Sequence, residues 1–317
     1  MKKRQNLILQ SFGAAGRTMP APKADELAKW IQTPRPKKTD CDITTYFLER
    51  QLRAQAGFAD ILGCGGGFYA SRLLESIGGH KEGYVSGELY AIPDMVKADA
   101  ESVKALQKTL GRNCTSAPLN FVLPSPSALK LNDAFYGDIG EYYSAICEVY
   151  AKIMREQRDL GVKRHIIRAD LFAHDELEEL SRERVFFLTP APTSRQLSSI
   201  LEYQTAVALC PSKLPVLFEL TDEYEVREVC LINAKPSDFE PCLEHFDPDC
   251  IKAGGIELWQ DAKTENERKT KPKRKTEPDN ASETETKKKT KTKTESAAES
   301  MTAFWKDLKE NSYLMRD

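Results

Sequence analysis

The sequence predicts an α/β protein: a single (β/α)8 barrel of the TIM type over residues 1–258, then a disordered charged tail. Two observations predict this. Apolar runs of strand length recur eight times with amphipathic, helix-like stretches between them. Beyond residue 259 the composition then changes, and from 260 to 300 no Val, Leu, Ile, Met or aromatic residue occurs.

The eight runs fall at 6–9, 60–62, 118–123, 165–171, 185–188, 216–220, 229–233 and 249–253. The clearest helix covers 141–160, where Tyr143, Ile146, Tyr150, Ile153 and Gln157 mark one side and Val149, Met154 and Leu160 widen it. Gly161 supplies its stop. A second helix is expected over 194–209, opening on Ser194 as N-cap. Residues 68–112 are long for one crossover and predict an extra hairpin around 84–92. Strand count alone does not establish closure, and a doubly wound open sheet gives the same alternation.

The 317 residues carry a net charge of −2, which argues against a strongly basic nucleic-acid-binding domain. Any nucleic-acid contact is expected only weakly, through the basic tail. No apolar run approaches a membrane span, and the run 7–9 behind the basic N-terminus is too short for a signal peptide. The eight cysteines stand singly, with no Cys-x-x-Cys, and read as reduced thiols of a cytoplasmic protein.

In the tail, residues 259–300 read as a disordered Lys/Glu/Thr-rich linker, because so polar a segment cannot offset its own ordering entropy. Its cluster Lys271-Pro272-Lys273-Arg274-Lys275 reads either as solvated linker or as a nuclear-import patch. Residues 301–317 regain Phe304, Trp305 and Leu308, expected as one face of a short amphipathic docking helix for a protein partner or for the chain's own domain.

Several strand ends, in order, resemble the cobalamin-independent methionine synthase family. Ser11-Phe12-Gly13-Ala14-Ala15-Gly16-Arg17-Thr18-Met19-Pro20 looks like a loosened form of its first-strand loop, and residues 47–62 look like its second helix and strand. Asn120-Phe121-Val122-Leu123-Pro124-Ser125-Pro126-Ser127-Ala128-Leu129 is the most specific match, and 229–240 with Lys235 resembles the seventh unit. The resemblance implies a barrel with ligands at its mouth and a zinc held by His-x-Cys after the fifth strand, Glu after the sixth and Cys near the eighth. Here the fifth strand ends Phe187-Leu188-Thr189-Pro190. Glu219 matches the sixth position, and Cys250 lies too early for the eighth. No metal site is therefore expected, and the cofactor is left unassigned. The reading is a divergent methyltransferase-like barrel or a repurposed small-ligand or partner-binding scaffold.

Two competing readings stand beside it. Gly63-Cys64-Gly65-Gly66-Gly67 follows an apolar strand, and with Glu88 beyond it resembles the first motif of class I S-adenosylmethionine-dependent methyltransferases. A non-catalytic subunit docking through the terminal helix is the other. The candidate acid/base pair is Asp170 with His174, four residues apart behind the fourth strand. The candidate ligand-binding residues are Arg17, Gly65, Gly66, Ser125, Glu219 and Lys235. In a barrel, Gly65, Asp170, Thr189, Glu219, Asn233 and Lys235 should converge at one mouth.

Overall fold

The computed structural model describes residues 3–19, 21–33, 42–258 and 297–316. The expected disorder of 260–296, the cluster Lys271–Lys275 included, lies outside the described residues. In chain order the strands are β1 (Lys3–Asn6), β2 (Leu9–Ala14), β3 (Leu62–Gly65), β4 (Ile77–Lys81), β5 (Tyr84–Ala91), β6 (Leu119–Pro124), β7 (Asn132–Asp133), β8 (Arg164–Arg168), β9 (Phe186–Leu188), β10 (Ala206–Leu209), β11 (Glu228–Ile232), β12 (Ile251–Glu257) and β13 (Tyr313–Arg316). The helices are α1 (Ala24–Gln32), α2 (Ile43–Gln55), α3 (Ala70–Glu75), α4 (Asp94–Thr109), α5 (Arg112–Ser116), α6 (Ile139–Asp159), α7 (His174–Ser181), α8 (Ser194–Leu201), α9 (Leu214–Leu220) and α10 (Ala297–Asn311).

Two parallel four-stranded sheets carry the fold, ordered β10-β11-β12-β2 and β3-β6-β8-β9. They meet between β2 and β3, where Gln10 bridges Ile61, Ala14 bridges Gly66, and Ser11 N–H donates to the Ile61 carbonyl at 2.9 Å. At the other edges, Cys210 N–H reaches the Pro190 carbonyl at 2.7 Å. The Gln204 side chain accepts from Phe187 N–H and donates to the carbonyls of Phe187 and Ala206. Between the sheets, Phe12, Val122, Ile166, Leu188, Ala208, Cys230 and Ile256 pack into one buried cluster. Successive strand residues point to opposite sides, so Ile166 joins this inner cluster while Ile167 joins the outer one under the helices.

Local chemistry sets the helix ends. Asp138 accepts from Glu141 N–H and caps α6, and Gly161, at φ 93°, lets Val162 N–H return to the Gln157 carbonyl. The expected hairpin is present as β4 and β5, antiparallel, with β7 added parallel to β5. One assignment is corrected. Residues 206–209, expected to end the second helix, form strand β10, and 216–220, expected as a strand, belong to α9. Thr193, not Ser194, caps α8, and Pro211 and Pro215 begin the turns that lead into α9.

The terminal segment is corrected too. The helix begins at Ala297, inside the expected linker, and packs on the chain's own β12 and α2. Trp305 is fully buried, with Met301, Leu308 and Leu314 around it. Its Nε1–H donates to Glu257 at 2.8 Å, and β13 pairs antiparallel with β1. Burial of these rings supplies what an isolated helix of this length lacks in water. Trp305 and Leu308 are thus buried within the chain, while Phe304 stays partly buried beside them; of the two occupants expected for this face, the chain's own domain is the one seen.

No helix among the described residues is long and apolar enough to cross a membrane. Seven cysteines are described, all free.

Candidate functional site

At the C-terminal ends of β2, β3, β6 and β8 lies a small, solvent-open cleft of about 60 Å³, lined by Ala15, Arg17, Gly67, Pro124, Arg168 and Asp170 among others. Alternation along β8 places Arg168 on the same side as Ile166, so the guanidinium caps the inner apolar cluster. It reaches across β3 and β6 to β2, where Nη1 donates to the Ala14 carbonyl at 2.9 Å. Among the described residues no carboxylate stands within ion-pair distance of it. Burial pushes its pKa down, and the charge of Asp170 opposes that. Arg17, exposed at the rim, donates to the Ala128 carbonyl at 3.1 Å. Two guanidiniums with spare donors thus border one opening, a geometry suited to a planar or tetrahedral oxyanion.

The Pro-rich turn after β6 forms one wall and is itself held from behind. Ser125 is fully buried; its N–H donates to the Arg168 carbonyl at 2.9 Å and its Oγ lies 2.9 Å from Ser127 Oγ. Ser127 Oγ donates to Glu176 Oε2 at 2.9 Å, Ser127 N–H approaches Oε1 at 3.4 Å, and Ala173 N–H donates to Oε2 at 3.3 Å. Glu176 is fully buried, and burial pushes its pKa up to about 6 against the opposing bonds from Ser127, Ala173 and Ser125.

Of the residues expected at the mouth, Arg17, Asp170 and Ser125 belong to this arrangement. Asp170 lines the cleft and its carbonyl accepts from Gln196. His174 starts α7 in an exposed position with its ring beside Tyr203, 6.4 Å between centroids, and no hydrogen bond among the described residues joins it to Asp170. Lys235 is exposed beyond β11, its N–H capped by Asp238. Asn233 is a structural residue there, bonding Ile256 through both side-chain atoms. Gly65 and Gly66 close a seam: at φ 96° and 124°, their Cα hydrogens point at the carbonyls of Val122 and Ala14, and any Cβ would collide there. Gly65 and Gly66 thus serve backbone contact, Gly67 alone of the three lines the cleft, and Glu88 lies apart on β5 in the separate small sheet. The class I motif reading is corrected accordingly.

The zinc ligands implied by the family resemblance do not assemble. Glu219 is exposed on the outer helix α9, not on a strand, and Cys250 precedes β12 at the opposite end from the cleft. The described residues contain no cluster of three His, Cys, Asp or Glu side chains placed for a metal.

Arg168 and Glu176 were not among the sequence candidates. Arg168 had one signal: a cation two residues after Ile166 in an apolar strand, on the same face. Glu176 had none, since an acid in the first turn of a helix ordinarily stands for the helix dipole.

No family model and no curated protein matches the sequence. Among solved structures, the fold is similar to a B12-independent methionine synthase from Shewanella sp. W3-18-1, described in complex with selenomethionine. The TM-score is 0.45 at 13% identity, covering 79% of this chain and 90% of that one.

Proposed function

We propose that the protein is a (β/α)8 barrel whose C-terminal mouth binds a small ligand carrying a carboxylate, phosphate or similar oxyanion, with Arg168 as its anchor. The sequential strand order, the bonds at both sheet seams and the filled interior support closure of the eight strands into a barrel. The observation that carries the ligand class is Arg168, a partly buried guanidinium with one backbone acceptor and no ion-pair partner among the described residues, facing an open cleft. Placing such a charge away from water is costly unless something compensates it, and an anionic ligand does so. Arg17 supplies a second cation at the rim, and Asp170, two residues after Arg168, adds an acid to the same lining, favouring a ligand with a hydroxyl or amine beside the anion. Zinc-assisted thiol methylation is not proposed, because the residues for it stand apart.

Titration calorimetry with inorganic sulfate tests this. Wild-type protein should bind at one site, and Arg168→Gln should weaken binding about tenfold or more, the worth of one charged hydrogen-bond pair. Arg17→Gln should have a smaller effect, because its side chain is exposed. Sulfate binding that is unchanged in Arg168→Gln, with the variant's melt intact, would refute the assignment.

A further inference from the structure

The Arg168–Arg17 cleft is connected, bond by bond, to a carboxyl group that never reaches it. From Glu176 Oε2 the chain runs to Ser127 Oγ at 2.9 Å and on to Ser125 Oγ at 2.9 Å. There it divides. Ser125 N–H holds the Arg168 carbonyl at 2.9 Å, and Ser125 Oγ accepts from Ala128 N–H at 3.2 Å. The Ala128 carbonyl, in turn, is the acceptor that orients Arg17. One turn, 124–129, therefore fixes both cations, and one buried carboxyl fixes the turn.

We infer that Glu176 is a positioning residue for the anion cleft: its ionised carboxylate holds the 124–129 turn, and through it Arg17 and Arg168, so that anion binding strengthens when Glu176 loses its proton. This rests on the anion-binding reading of the cleft.

The direction follows from counting protons. The ionised carboxylate is an acceptor only, and it meets Ser127 N–H, Ser127 O–H and Ala173 N–H, with the Ser125 hydroxyl also in reach. A protonated Glu176 must itself donate through one oxygen, so it accepts fewer of these bonds and a serine hydroxyl must turn its own proton away. The turn is then held by fewer bonds to the carboxyl, and it loosens.

The surroundings keep Glu176 close to the point of titration. No cation pairs with it among the described residues. From α6 it faces Tyr142, Tyr143, Cys147 and Tyr150, whose acidities its charge lowers; from its own helix the nearby charges are Asp175 and Glu179. Burial among these groups puts its pKa at about 6, where modest acidification changes its state.

Simple electrostatics gives the opposite sign. A negative Glu176 behind the cleft would repel an anion, so plain repulsion makes binding tighter in acid. Positioning makes it tighter in base, and the slope separates the two.

The experiment is sulfate titration of the full chain at fixed ionic strength from about pH 5 to about pH 7.5, since sulfate keeps its charge throughout. Wild type should bind about fivefold more tightly at the upper end, a coupling at the low end of the usual range. Glu176→Gln and Ser127→Ala should both bind weakly and without that slope. The histidines are common to all three proteins, so the difference in slope belongs to the Glu176 chain. Tighter binding in acid, or a wild-type slope surviving in both variants, would overturn the inference. Should Glu176→Gln fail to fold, Ser127→Ala carries the test, because it removes the 2.9 Å hydroxyl bond to the carboxylate and keeps the carboxyl. Binding that ignores Arg168→Gln at every pH would instead refute the cleft reading itself.

Discussion

Replacing Trp305 with alanine should unfold the main domain at a markedly lower temperature, although the residue lies 48 positions beyond Glu257 and beyond a long charged segment. The ring is fully buried against β12, so tightly that a Cβ on Gly255 would stand 2.5 Å from its Cη2. Truncating a buried aromatic of this size costs about 3–5 kcal/mol. The lost Nε1–H bond adds to this, because Glu257 is buried and its carboxylate loses a donor it cannot replace with water. For a chain of this size about 1 kcal/mol shifts the melting temperature by roughly 2–4 °C, so the variant should melt roughly 6–20 °C lower. Calorimetry or urea unfolding of the full chain checks it. Trp305→Phe keeps most of the packing and loses the bond, and should fall between the two. A melting temperature unchanged in Trp305→Ala would show that the helix does not dock on its own sheet and would return it to a partner-binding role.

Other perturbations follow from the same packing. Asp99→Ala should cost about 3–5 kcal/mol in urea unfolding, because buried Arg72 loses its Asp99 partner while Tyr69 and Thr45 lose an acceptor; wild-type stability would refute the network. Gly66→Ala should give insoluble or molten protein, judged by near-ultraviolet dichroism, since its φ of 124° and the Ala14 carbonyl leave no space for a methyl group. His165 is buried and held neutral, its pKa pushed from 6.5 down to about 3, so the unfolded chain takes up the proton first and stability falls as pH drops from 6.5 toward 3. The full effect is about 5 kcal/mol at most, Glu176 opposing it between 4.5 and about 6, and His165→Leu should flatten the acid limb of the stability curve.

What the sequence carried was what neighbours along the chain decide. The helix from Ile139 to Asp159 and its stop at Gly161 are written in one apolar stripe and one residue suited to φ 93°. The hairpin and the alternation of strands with helices were legible for the same reason. The sixth strand was misplaced because Ala-Val-Ala-Leu suits a helix interior as well as a strand, while Pro-Val-Leu-Phe-Glu-Leu is β-rich in composition but starts on a proline that suits a first helical turn.

Glu176 and Glu257, which the sequence did not single out, share a different property: each is polar, buried and hydrogen-bonded to partners far away in sequence. Glu176 meets Ser127 across 49 residues, and Glu257 meets Gln51 across 206 and Trp305 across 48. Nothing in the local pattern around Glu176 distinguishes a carboxyl facing solvent in a first helical turn from one turned inward onto a serine. The terminal aromatics left partner and own domain open for the same reason, since an amphipathic face reports that something covers it and not what. Composition can nominate such a face, but only the donor waiting at its far end decides the occupant. Glu257 accepting Trp305 Nε1 at 2.8 Å is that decision here, and it assigns the terminal helix to the chain's own sheet.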